Sequence, residues 1–186
     1  LIQEEEQARQ VISALWNWAN GVGVDERTSL LVDLDAIIRA APLHSLGSVA
    51  VLAGALTEIG ASLDAFPKSV FERLGLLLDG VPDEEADEEE YELPDAFYGC
   101  ERAAVAALSP SADVRRNLPY KAELLGKIKR YSERYGFLGK ILSVLDDEPL
   151  LIVHPRSQRA WRARMGGIAD NFQLHALLLA ALAGDG

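Results

Sequence analysis

Apolar residues recur at three- and four-residue steps through most of the first 80 positions, and Gly or Pro breaks the pattern at short intervals. That combination restricts the chain to short amphipathic helices that cover one another's apolar stripes. Ala8, Val11, Ile12, Leu15, Trp16 and Ala19 form the first stripe, over 4–20, and Asn20-Gly21 supplies a stop. Asp25 is placed to cap the second helix, whose stripe is Leu30, Leu31, Leu34, Ile37, Ile38 and Ala41 before Pro42 ends it. A third helix is expected over about 45–59. Its small residues, Gly47, Ala50 and Gly54, with Ala61 just beyond, predict close approach of another helix. Pro67 opens a fourth, closed by Gly80.

Residues 83–92 are nearly all acidic. Such a run repels itself and buries little, so 81–93 is expected to be a mobile loop between two helical layers, 1–80 and 94–186, of what is one domain overall. In the second layer Pro94 starts a helix that ends before Pro110. A longer one is expected over about 119–135, with Leu124, Ile128, Tyr131 and Tyr135 on one face, and a short one over 137–145.

The last 40 or so residues change character. Leu150–His154 is β-like, Pro155-Arg156-Ser157-Gln158 is a turn, and 159–165 alternates, with Trp161, Ala163 and Met165 on one face and Arg162 and Arg164 on the other. That is a two-stranded hairpin. Asp170 and Gln173 then have capping-box spacing for a final helix whose apolar residues, including Leu174, Leu177 and Leu178, should cover the hairpin. The expected fold is mainly α (α+β minor): a helical bundle of about seven to eight helices with a small C-terminal β-hairpin packed under the last helix.

Charge is divided unevenly over this frame. Residues 1–100 hold 20 acidic and 5 basic groups, whereas 101–186 hold 9 acidic and 13 basic. The net charge of −11 opposes non-specific binding to nucleic acid or anionic lipid and attracts basic partners. The longest weakly polar window, Ser45 to Thr57, is too short for a membrane span, and Leu1-Ile2 followed by three glutamates is no signal peptide. A single cysteine, Cys100, excludes an internal disulfide framework and fits a reducing compartment, so a cytoplasmic location is expected.

No motif for catalysis or ligand binding stands out. The three histidines, His44, His154 and His175, never fall at a four-residue step, and Asp33 and Asp35 point about 200° apart on a helix, so no metal site is expected. Gly21-Val22-Gly23 lacks the rest of a dinucleotide fingerprint, and Gly126-Lys127 and Gly139-Lys140 lack the rest of a phosphate loop. No cofactor is expected. Cys100 has a glutamate beside it, which works against a thiolate, so a packed, inert role is favoured.

Trp161-Arg162-Ala163-Arg164, followed by Gly167-Ile168-Ala169-Asp170-Asn171-Phe172-Gln173-Leu174-His175, resembles the C-terminal end of uncharacterised proteins from high-GC bacteria. The stretch from Leu150 to Leu182 carries the resemblance, roughly a sixth of the chain, and it implies no activity.

The leading expectation is a non-enzymatic protein-interaction module, of the regulatory, adaptor or immunity kind. Glu84, Glu85, Asp87, Glu88, Glu89 and Glu90 would steer a basic protein partner, and Arg162 and Arg164 would make a second contact. The first alternative is a small enzyme or ligand-binding domain with a pocket of His154, Arg164, Asn171 and His175 between hairpin and last helix. That reading requires at least two of these side chains to converge on one concave, apolar-walled pocket. The second is nucleic-acid binding through the basic 115–164 segment. Trp16 and Trp18 also lie about 200° apart on one helix, which leaves one of them for a second chain and a homo-oligomer open.

Overall fold

A computed structural model of the protein describes residues 2–80, 94–118, 120–129, 136–167, 176 and 178–180. The expected acidic loop, the 130–135 end of the long helix and nearly all of the last helix lie outside these residues.

The chain is mainly helical. Its elements are α1 (Ile2–Gly21), α2 (Val24–Ala40), α3 (Leu43–Glu58), a short 3-10 turn (Leu63–Ala65), α4 (Lys68–Asp79), α5 (Asp95–Leu108), α6 (Ala112–Asn117), α7 (Lys121–Lys129) and α8 (Gly136–Leu142). An antiparallel hairpin follows, β1 (Glu148–His154) paired with β2 (Arg159–Met165). Its turn at 155–158 and its second strand are those expected, and its first strand starts two residues before the expected Leu150.

Two helix starts differ from expectation. Gly23, in extended conformation, precedes α2, so Asp25 lies in the first turn and acts on the helix dipole rather than as the cap. The segment expected as one helix from 119 begins at Lys121, and a separate six-residue helix, α6, precedes it. The Ser111 hydroxyl caps α6 by accepting the Val114 N–H.

The centre of the fold is the crossing of α3 and α5. A Cβ placed on Gly99 would lie 2.3 Å from the Cα and the carbonyl oxygen of Gly47, and one placed on Gly54 would lie 2.9 Å from the Ala103 Cα. The two backbones therefore touch, with no side chain between them, and the small residues of the third helix do what their spacing predicted. Around this crossing Leu31, Leu34, Leu46, Leu56, Leu74, Phe97, Leu108 and Leu138 are buried in one apolar core. α3 closes with a Schellman arrangement: Ala61 N–H donates to Leu56 O, Gly60 N–H donates to Thr57 O, and Gly60 takes the left-handed φ of 99°.

Arginines from elsewhere also donate to carbonyls at or just beyond helix ends. Arg27 of α2 donates to Ala19 O in α1 at 2.7 Å and to Ile59 O beyond α3 at 2.5 Å. Arg73 of α4 donates to Ala41 O, just past α2. Arg115 of α6 donates to Leu108 O and Ser109 O at the end of α5. A cation at a helix C-terminus meets the negative end of the dipole and fills carbonyls that would be orphaned.

Candidate functional site

The folded charges come first. Arg115 forms a bidentate pair with Asp146, both bonds at 2.8 Å, and both side chains are almost wholly buried. The Arg115 hydrogen bond holds the Asp146 carboxyl below the usual carboxylate range against the opposing effect of burial. Arg116 pairs with Asp113 and Asp147, and Lys127 with Glu123 and Asp79. Of these contacts, only Lys127 to Asp79 joins the acidic part of the chain to the basic part.

In the acidic part Arg39 pairs with Asp35 and Glu72. Burial raises the Asp35 pKa, but hydrogen bonds from Ser69 and Arg39 outweigh it and leave that carboxyl below its usual value. Asp25, Glu26, Asp33 and Asp64 have no salt-bridge partner among the described residues. Folding thus neutralises several of the basic groups within their own half and leaves an acidic surface on the other.

Among the described residues, three hollows on the helical surface stand out. At the N-terminal ends of α3 and α5 a broad, mixed groove of about 640 Å³ has Arg9, His44, Asp95 and Arg102 around it. Between α4 and α7, Phe71, Leu76, Tyr120 and Leu124 line a space of about 270 Å³, with Glu72, Asp79, Glu123 and Lys127 at its edge. Tyr120 has a positive φ of 63°, a strained position for a bulky side chain, and its ring is exposed. The third, of about 420 Å³, lies between α1 and α2. Leu15, Trp18 and Leu30 form its apolar lining, and Glu26, Ser29 and Asp33 complete it.

This α1/α2 face follows from two helical stripes. Val11, Leu15 and Trp18 stand at four- and three-residue steps on α1, and Glu26, Leu30, Asp33 and Ile37 stand at four-, three- and four-residue steps on α2. Leu31, Leu34 and Ile38 of α2 are buried on its inner side. Trp16 packs against the core, whereas Trp18 is 45% exposed, Val11 58% and Ile37 48%. The 200° separation of the two tryptophans thus sends one inward and the other to the surface. Composition had not distinguished this face from any other amphipathic helix pair, although the outward Trp18 pointed to it.

The residues expected to line a catalytic pocket do not converge where they are described. His154 lies opposite Arg159 at the turn end of the hairpin, and Arg164 lies opposite Pro149 at its root. Strand alternation puts His154 on the face of Trp161 and Arg164 on the other face. His154 Nδ1 is 2.7 Å from the Ser157 hydroxyl, a contact within the turn. Asn171 and His175 lie outside the described residues, as do Glu84, Glu85, Asp87, Glu88, Glu89 and Glu90. Arg162 and Arg164 are exposed beside Leu151 on the outer face of the hairpin.

Cys100 is fully buried, and burial pushes its thiol up to about 12, so it carries no thiolate near neutral pH. Burial also raises the Glu101 carboxyl above its ordinary value. Among the described residues no group of His, Cys, Asp and Glu is placed to hold a metal ion, and no helix is long and apolar enough to cross a membrane. No family model, curated protein or solved structure matches this chain.

Proposed function

We propose that this chain is a non-enzymatic protein-interaction module, of the regulatory, adaptor or immunity kind, whose acidic surface attracts a basic protein partner. The observation that carries the reading is the survival of the charge division after folding. Arg115, Arg116 and Lys127 are occupied by carboxylates of the fold, so they are poor candidates for a nucleic-acid surface. Asp25, Glu26, Asp33 and Asp64, by contrast, have no cation among the described residues. Unpaired surface charge of one sign speeds association with a partner of the other sign and makes it salt-dependent. The opposite facing of His154 and Arg164 weighs against the enzyme reading.

The test compares wild-type protein with a variant in which Glu84, Glu85, Asp87, Glu88, Glu89 and Glu90 become Gln or Asn. Both serve as bait in a lysate at low and at high salt. A basic protein retained by the wild type, weakened by salt and lost from the variant, supports the reading. Nucleic acid retained instead would overturn it. An unchanged partner list would reduce the acidic run to a spacer and remove it from the mechanism.

A further inference from the structure

We propose that the α1/α2 face is the docking groove for a basic amphipathic helix of a partner protein. The inference rests on the interaction reading above and gives it a place and a geometry. α1 and α2 both pack on α3 and leave a hollow between them, and a further helix settles into such a furrow by its own ridge of apolar side chains. Here the furrow has an apolar bed, Leu15, Trp18 and Leu30. Trp18 is the type of residue on which interface energy concentrates, and a ring of that size left 45% exposed is an anchor without a cover.

The charge pattern selects the occupant. Glu26 and Asp33 stand seven residues apart on α2, one on each side of Leu30, and no cation among the described residues lines the hollow. Seven residues span ~10 Å of helix axis. A partner helix with Arg or Lys at positions i and i+7 and large apolar residues at i+3 and i+4 matches both carboxylates and places its apolar side chains on Leu30 and Trp18. A second copy of this chain matches poorly. A two-fold contact would set the Glu26 and Asp33 carboxylates against those of the second copy, between molecules each carrying −11.

The probe is a synthetic 15-residue helical peptide with Arg at i and i+7 and Leu at i+3 and i+4, beside a control in which Glu replaces each Arg. Binding to the full chain is measured by calorimetry at low and high salt, with wild type, Trp18→Ala and the double variant Glu26→Gln/Asp33→Asn. Circular dichroism confirms that each variant is folded. The expected result is binding of the Arg peptide alone. Affinity should weaken about tenfold or more in Trp18→Ala, as for a central anchor. In the double variant it should weaken with a flatter salt dependence. Equal binding to all three proteins, or equal binding of the Glu peptide, overturns the site. Self-association of the wild type that Trp18→Ala abolishes, read by sedimentation, makes the occupant a second copy and also overturns it. If the peptide fails while capture through the acidic run persists, only the groove is wrong. If both fail, the interaction reading falls with it.

Discussion

The helical body and the C-terminal hairpin are held by opposite means. In the body, α3 and α5 approach until Gly47 and Gly99 touch, and burial of apolar side chains around that crossing supplies the cohesion. The hairpin contributes no residue to that core: its inner-face residues Leu150, Ile152, Trp161, Ala163 and Met165 are only half-buried. Among the described residues its attachment is polar. Asp146, just before β1, receives both Arg115 bonds and the backbone N–H of Gly167, just after β2. One carboxylate thus ties both feet of the hairpin to the arginine that also caps α5. The body is thus held mainly by apolar contact, whereas the ties described for the small appended sheet are ion pairs at its foot, Arg115 with Asp146 and Arg116 with Asp147.

The largest effect should come from breaking that tie. Asp146→Ala leaves the Arg115 guanidinium buried without its counter-charge, a loss of ~3–5 kcal/mol for pairs of this kind. Hydrogen exchange should show hairpin amides losing protection ahead of those in α3 and α5. Simultaneous loss in both regions would show that the body leans on the hairpin as well. Gly99→Ala attacks the other side of the comparison. The new methyl would meet Gly47 backbone, which has no rotamer to change, so the helices must part. A cost at the upper end of the ~1–3 kcal/mol range for overpacking is expected by urea denaturation, with body and hairpin unfolding together.

Acid should act on the tie and spare the crossing. The folded pKa of Asp146 lies below its unfolded value, so its contribution is fully present above the ordinary carboxylate range of about 3.9 and disappears as pH falls through the folded pKa. Urea midpoints followed from neutral pH downward should therefore drop more steeply in wild type than in Asp146→Asn. Parallel curves would mean that the pair adds no pH-dependent stability.

The two regions were also unequally legible in the sequence. The hairpin was readable, apart from a first strand that begins two residues earlier, at Glu148, because strand alternation and a turn are local. The small positions Gly47 and Gly54 announced a close helix contact, but that α5 makes it, through Gly99, depends on pairing between distant segments. The role of Arg115 was not legible: it stands beside Arg116 at the start of the basic 115–164 segment, yet Asp146, 31 positions away, pairs with it in a buried position. The six residues of α6 are too few to show a period. The α1/α2 groove needed the fold, because only packing decides which side of α2 stays uncovered.

The smallest prediction sharpens the comparison with a glycine that has no packing duty. Gly126 lies inside α7, is exposed, and a Cβ there would meet nothing within 4 Å. Glycine in a helix interior is ~0.8–1 kcal/mol less favourable than alanine, mainly through backbone entropy in the unfolded chain. Gly126→Ala should therefore stabilise the protein by roughly 0.5–1 kcal/mol and raise the melting temperature by about 2–3 °C for a chain of this size. The same exchange at Gly99 runs the other way, and the difference in sign isolates the contact from the propensity. A loss of stability at Gly126 would mean that another surface closes over α7 at that point, making it a second glycine contact like the one between α3 and α5.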